Sequence, residues 1–481
     1  MKIYNTLTRT VEEFVPYEEG KVKFYTCGPT VYHYAHIGNM RNYIGHDILD
    51  KTLRYLGYDV KRVMNITDVG HLKSDSDSGA DKMVESAKAE HKSVMDIAKF
   101  YTDAFFKDFD ALNCRRPDVV SPATDNIDEY IKIINVLLDK GYAYKSGGNV
   151  YFDVSKLTDY YKLTNHKEDD MVVGVRDGVD YDDSKRNQAD FALWFTKSKF
   201  EDQDLKWDSP FGTGYPGWHI ECSCMARKLL GETIDIHAGG MDLKFPHHEN
   251  EIAQSESLTG KKFANYWMHS AYLNINNQKM SKSLNNFFTT REILEKYDVD
   301  TVRFLLLSAH YRVQLNFSQD LLESAKASVE RLYNAVSNLE NLLDEVSKEK
   351  MSHDEEQYIK NLDKYRIKFE EKMDDDFNTA DAISVLFELA KDLNTNISIE
   401  SSKELISEAL NLYRSLGKPL GLIQKSTKIS WEDEVEELIQ KRQEARKNKD
   451  FALADKIRDD LKNRGIILED TPQGVRWHLE K

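Results

Sequence analysis

Cysteine is scarce in this chain: its 481 residues include four, Cys27, Cys114, Cys222 and Cys224. Four thiols over such a length are no disulfide framework, so each is read as a free thiol or a metal ligand. Long apolar runs are missing too. None reaches the ~18 residues that a membrane helix needs, so no membrane partner is expected. The opening MKIYNTLTRT lacks the apolar stretch of a secretory signal, and the expected location is cytoplasmic. Positive charge is short: 66 Lys and Arg against 82 Asp and Glu leave a net charge of −16. That balance argues against indiscriminate nucleic-acid binding and leaves room for a local basic face. The sequence contains no internal repeat.

What is present fits a soluble protein with real cores: 40% of residues are hydrophobic and 11% aromatic. At ~100–200 residues per domain, the length suggests two to four domains. KVKFYTC (21–27) alternates as a strand, and GPT then breaks it. IGNMRNYIGHDILDKTLRYLG (37–57) carries Ile37, Ile44, Ile48 and Leu56 at roughly helical spacing. YDVKRVMNI (58–66) is the next strand. That order suggests a parallel sheet, hence an α/β fold. Residues 70–82 are Ser/Asp/Gly-rich and read as a solvated loop. Its acids invite a calcium reading, which fails: counted from Asp75, Ala80 stands where an EF-hand loop needs Gly. Residues 114–205 look like an inserted unit, with a capped helix ending at Gly141. ETIDIHAGG (232–240) restores the sheet, and FANYWMHSAYLNI (263–275) follows with strand-like aromatics. The pattern is helical from about 310 to 425, and a helix pair with a short tail spans 431–481.

FPHHENE (245–251) sets two imidazoles and two carboxylates straight after a proline. His247 and Glu251 are four apart and share one helix face, and Pro246 suits the first helical position. His248 and Glu251, three apart, pair nearly as well, and spacing does not choose between them. The zinc-protease pattern His-Glu-x-x-His fails, because Ile252 occupies the second His position. Two ligands are too few for zinc, which takes four in structural sites and usually three plus an open position in catalytic ones. The cysteines offer the rest. Cys27 ends the first strand; Cys222 and Cys224 lie in PGWHIECSCMARKLL, a helical stretch. Two residues apart on a helix means ~200°, so only one of them faces a given site. The strands before Cys27 and before FPHHENE are expected neighbours, which puts both ligand groups at carboxyl ends of parallel strands, where ligands bind.

Two further motifs suit a nucleotide. CGPTVYHYAHIGNMRNY (27–43) places His36, Gly38 and Asn39 where a helix begins. Helix N-termini attract phosphate, and glycine permits close approach. KMSKS (279–283) offers Lys279, Ser281 and Lys282 in a polar loop, two ammonium groups and hydroxyls suited to a triphosphate.

HIGN after the first strand, with KMSKS past the last, resembles a class I aminoacyl-tRNA synthetase. CGPTVYHYAHIGN, NITDV, PGWHIECS, DIHAGGMDLKFPHHENEIAQ, KMSKS and LEDTPQGVRW together resemble the cysteinyl-tRNA synthetases, over the whole chain. The resemblance implies a Rossmann-like catalytic domain split by an insertion, then an α-helical bundle and a small C-terminal anticodon-binding domain. Its parts fall at 1–113 and 206–275 (the catalytic halves), 114–205 (the insertion), 276–309 (the KMSKS and stem-contact region), 310–430 (the bundle) and 431–481 (the anticodon domain). It implies one Zn²⁺ on Cys27, Cys222, His247 and Glu251, thereby preferring Cys222 to Cys224 and His247 to His248.

The implied activity is activation of L-cysteine by ATP, with Mg²⁺, and transfer to tRNA(Cys) by a monomer. Zinc would take the substrate as thiolate, so no editing domain is expected. Thr30, His36, Gly38, Asn39, Lys279, Ser281 and Lys282 are the implied ATP-binding and catalytic positions. Gly28, Thr67, Trp218 and His219 line the implied amino-acid pocket, and Asp242 holds either the substrate ammonium or the ribose. Residues 441–464 contain nine Lys/Arg and five Asp/Glu, a net of +4 in an acidic chain, which fits an RNA footprint. Arg446, Phe451, Asp455 and Asp470 occupy the implied anticodon-reading positions, Phe451 replacing the tryptophan of some relatives. A departure is His33, where an aspartate is expected. The competing readings are a related cysteine ligase with a small-amine acceptor and a non-catalytic RNA-binding or structural zinc protein.

Overall fold

The computed structural model describes residues 1–69, 82–90, 92–165, 184–197, 204–276, 278–279, 288–426, 431–447, 450–471 and 474–479. At its start β1 (Lys2–Asn5) pairs antiparallel with β2 (Thr10–Glu13). The βαβ unit read from the alternation then follows: β3 (Lys21–Thr26), α1 (Ile37–Tyr55) and β4 (Asp59–Ile66). The two strands run parallel, Lys21 opposite Asp59 and Thr26 opposite Met64. α1 buries Ile37, Met40, Ile44 and Ile48, an apolar stripe at helical period. α2 (Lys82–Glu90) and α3 (Val94–Ala111) come next, with Ser93 capping the latter through Asp96 N–H.

β5 (Val119–Pro122) pairs parallel with β4 and is the fifth strand of the main sheet. The insertion expected over 114–205 therefore has different bounds. Four residues ending in proline are a weak strand signal, tolerated because β5 lies at the sheet edge. After α4 (Ile127–Asp139) comes an antiparallel sheet of β6 (Ala143–Ser146), β7 (Asn149–Phe152), β8 (Phe191–Phe195) and β9 (Tyr215–Pro216), reaching beyond residue 205.

The main sheet resumes with α5 (Trp218–Leu230), β10 (Ile234–Gly240), α6 (His247–Thr259) and β11 (Ala264–Ser270). Its order is β11-β10-β3-β4-β5. The chain leaves β3 toward one edge and later adds β10 and β11 on the other side, so β3 and β10 flank the switch point where parallel sheets bind ligands. β10 is buried along its whole length. α6 begins at His247, so Pro246 stands just ahead of the helix, not in its first turn.

β12 (Leu273–Ile275) lies between β13 (Gln278–Lys279) and β14 (Leu315–Phe317); α7 (Thr290–Leu294) and α8 (Val299–Leu307) intervene in the chain. The helical bundle comprises α9 (Gln319–Glu345), α10 (His353–Asp374), α11 (Thr379–Asn396) and α12 (Lys403–Leu420). Each opens on a Ser or Asn side chain that accepts from the first helical turn. α13 (Trp431–Lys447), α14 (Phe451–Asn463) and a hairpin of β15 (Ile466–Thr471) and β16 (Gly474–Leu479) end the chain. Among the described residues no helix is long and apolar enough to cross a membrane. The loop read over 70–82 lies, up to residue 81, outside the described residues.

Candidate active site and metal centre

Cys27 follows β3 directly, its N–H bonded to Ala238 O of β10 at 3.2 Å. Gly28 comes next because nothing larger fits: an added Cβ would lie 1.7 Å from Asn65 O. α5 brings Cys222 inward beside Cys27, while Cys224 faces another cluster with Ile220 and Ala253. Burial pushes the Cys224 thiol up to about 12.

The ligand atoms of Cys27, Cys222, His247 and Glu251 lie within 4.8 Å of one another, and all four residues are buried. Cys27 Sγ is 4.0 Å from Cys222 Sγ and 3.9 Å from Glu251 Oε1, and His247 Nε2 is 3.1 Å from the same oxygen. Bonds of ~2.0–2.3 Å in a tetrahedron would space zinc ligands roughly 3.3–3.8 Å apart, so small side-chain shifts suffice. A second group, Cys27, His237, His248 and Glu251, is equally compact. The first holds both sulfurs, the softer donors that zinc accepts.

An imidazole stands behind each of three ligands. His248 Nε2 is 3.3 Å from Cys27 Sγ, His237 Nε2 is 2.9 Å from Glu251 Oε2, and His219 Nδ1 is 3.0 Å from His247 Nδ1. The chain continues from His248 Nδ1 to His269 Nε2 at 2.8 Å, and from His269 Nδ1 to Thr6 Oγ1 at 2.9 Å. Burial would lift the Glu251 carboxyl, but His237 and His247 hold it at about 2. Burial likewise opposes the Cys222 thiolate, yet Cys27 and His247 bring that thiol down to about 6. Burial and the neighbouring imidazoles of His237 and His269 keep His248 well below its ordinary value, hence neutral. The floor thus offers anionic donors in a dry setting, which suits a divalent cation.

His219 and Trp218, both expected to line the amino-acid pocket, stand beside His247. The half-buried Trp218 ring lies against His247, with centroids 4.2 Å apart at 33°. Thr67 Oγ1 accepts from Asn65 Nδ2 at 3.1 Å and donates to Glu221 Oε2 at 3.0 Å. Thr30 bridges to Thr67 in parallel fashion. Asp242 is exposed, in a short turn past β10.

His36 and Asn39 form a reciprocal capping box on α1: Asn39 N–H donates to His36 Nδ1 at 3.1 Å, and His36 N–H to Asn39 Oδ1 at 3.3 Å. Gly38 lies in the turn between them. Lys279 ends β13; Ser281 and Lys282 lie outside the described residues. The far flank of that stretch is described and meets the first motif. Ile37 N–H donates to Phe288 O, Thr290 N–H donates to Ala35 O, and His36 pairs with Thr289. The segment that follows the second motif therefore meets the first at the start of α1.

Arg446 lies in the last turn of α13, and Phe451 opens α14 with 61% exposure. Asp455 is one turn on, 3.4 Å from Arg458. Asp470 is in β15; its side chain lies outside the described residues.

Sequence reasoning did not single out Glu221, His237 or His269. Their signal was the polar content of stretches that must be buried, such as IDIHAGG inside a strand covered on both faces.

The family model for the class I (C) tRNA synthetase catalytic domain matches residues 13–327. The DALR domain model matches 368–424, and the model for the cysteinyl-tRNA ligase anticodon-binding domain matches 431–477. Among solved structures, Mycobacterium tuberculosis methionyl-tRNA synthetase in complex with methionyl-adenylate is similar at a TM-score of 0.61 and 16% identity, over 83% of this chain and 91% of that one. A putative arginyl-tRNA synthetase from Campylobacter jejuni gives 0.54 and 14%, over 85% and 93%. At such identities the likeness concerns the fold.

Proposed function

We propose, from the premise that this chain belongs to the cysteinyl-tRNA synthetases of class I, that Cys27, Cys222, His247 and Glu251 hold a zinc ion at the floor of the amino-acid pocket. The chain is a cysteine–tRNA ligase. The cysteine carboxylate attacks the α-phosphorus of ATP, the bond to the bridging oxygen breaks, and pyrophosphate leaves. A ribose hydroxyl at the tRNA 3′ end then attacks the cysteinyl carbonyl, and AMP leaves.

Bound there, zinc would take the substrate sulfur as a thiolate and discriminate against the harder hydroxyl of serine. The remaining work falls to side chains of this chain. His248 and His237 orient Cys27 and Glu251 through the hydrogen bonds given above. Trp218 and His219 wall the pocket, and Gly28 and Thr67 border it from the strand ends. Thr30, His36, Gly38 and Asn39, together with Lys279, Ser281 and Lys282, steady the phosphates as negative charge builds on them, with Mg²⁺ accompanying ATP. Asp242, at the exposed rim, receives the substrate ammonium or the ribose. tRNA(Cys) is read by Arg446, Phe451, Asp455 and Asp470, with Phe451 as the stacking platform. A small-amine acceptor would leave the segment matched by the anticodon-binding model without a use.

The observation that carries the metal reading is the convergence of two thiols, an imidazole and a carboxylate on one buried point. The test is ATP–pyrophosphate exchange with cysteine and with serine, before and after zinc chelation. Exchange with cysteine alone, lost on chelation and restored by zinc, is expected. Exchange that survives chelation, or runs equally with serine, overturns the metal reading.

A further inference from the structure

The connection between α10 and α11 contains two consecutive left-handed residues, Asp376 and Phe377, each at φ 55°. Neither is glycine, and for a bulky aromatic this conformation is strained. Both residues are buried. Phe377 enters the core cluster of the parallel sheet, beside Ile3, Phe24, Ile236 and Met268. Asp376 is held from the catalytic side. Its Oδ1 accepts from Tyr4 N–H and from the Tyr311 hydroxyl, each at 2.8 Å, and its Oδ2 from Arg312 Nε at 2.7 Å. Its carbonyl accepts from His310 Nε2 at 2.9 Å, and its N–H donates to Lys2 O at 3.1 Å.

The partners of Asp376 lead on to the active site. Ala271 N–H donates to Tyr311 O at 2.8 Å, just ahead of the strands that carry Lys279. Arg41, on the helix that His36 caps, donates to the carbonyls of Ala271, Tyr272 and Val313. Apolar packing does not close this joint: a cavity of about 40 Å³ lies between Arg41, His46, Ser270, Ala309, Tyr311 and Phe377. Atoms lining a void lose contacts on that side, so the polar knot carries the alignment. A second tie holds the bundle to the catalytic part, where Arg303 donates to Leu420 O at 2.8 Å and to Asp47 Oδ2 at 2.8 Å. Losing the knot would tilt the bundle without detaching it.

We infer that Asp376 is a positioning residue that sets the helical bundle against the catalytic sheet, so that the RNA acceptor arrives in register with the adenylate. This rests on the ligase function given above. No pocket or nucleotide residue touches Asp376 among the contacts above, so adenylate formation does not depend on it.

The test compares Asp376→Asn and the milder Tyr311→Phe with the unaltered protein. Cysteine-dependent ATP–pyrophosphate exchange and aminoacylation of tRNA(Cys) are measured on the same samples. Exchange within two-fold of the unaltered protein is expected, with kcat/KM for tRNA down roughly ten- to hundred-fold in Asp376→Asn and less in Tyr311→Phe. If Asp376→Asn does not fold, Tyr311→Phe decides by the same split. Equal loss of both activities, or of neither, overturns the inference. Absence of exchange in the unaltered protein would instead refute the ligase reading itself.

Discussion

Helices α6 and α12 are both deeply buried, yet they are held in opposite ways. α12 buries Leu405, Ile406, Ala409, Leu410, Leu412, Tyr413, Leu416 and Leu420, an apolar face that packs within the bundle. α6 buries His247, His248, Glu249, Asn250, Glu251, Gln254, Ser255 and Ser257, and only Ile252 and Ala253 are apolar. An apolar face is stabilised by area and tolerates any packing that fills it. A polar face inside a protein needs a partner for each group, which fixes geometry and costs free energy where a partner is lost. The bundle is built to be stable, whereas the site floor is built to hold something.

Cys222→Ser should separate the two most sharply. Metal content should fall toward zero, and cysteine-dependent exchange should fall by more than the ~100-fold that marks loss of an outer partner. Metal analysis and exchange kinetics check this, with the unfolding of the bundle unchanged. In α12, fully buried Leu416→Ala should cost about 2–5 kcal/mol of stability, while exchange per folded molecule stays constant. Denaturant unfolding with activity normalised to folded protein checks it. His237→Ala removes the donor to Glu251 Oε2 and leaves the four ligands in place. Zinc affinity should weaken ~10–100-fold in a competition titration with a chelator.

The smallest effect belongs to Glu355 at the start of α10. Burial would raise its carboxyl, but Lys348, Ser352 N–H and Ser402 N–H hold it at about 2, below the ordinary 4.5. A depressed value means its stabilisation is complete above about 4.5 and is lost as pH falls toward 2. Glu355→Gln should cost about 1 kcal/mol at neutral pH and flatten the stability profile in that acidic window, as read by unfolding at several pH values.

The same contrast explains what the sequence disclosed. α1 and the βαβ unit were legible from the stripe of Ile37, Ile44 and Ile48, because apolar period reports burial directly. α6 carries no such stripe. Its spacing permitted His247 with Glu251 but equally His248 with Glu251, and the structure brings both imidazoles close to that carboxylate. The choice of Cys222 over Cys224 was likewise beyond spacing; it depends on which side of α5 faces β3. β5 was missed as sheet because Val119–Pro122 is short and ends in proline. His237, Glu221 and His269 were invisible singly, since a lone polar residue in a buried strand or helix acquires meaning only with its partner. Asp376 and its partner Tyr4 are far apart in sequence.

The most direct measurement is zinc X-ray absorption on the purified protein, without and with L-cysteine. One zinc per chain is predicted, with two sulfur ligands at about 2.3 Å, rising to three when cysteine binds. A protein that binds no zinc, or a sulfur count that cysteine leaves unchanged, would contradict the selection of substrate by its thiolate.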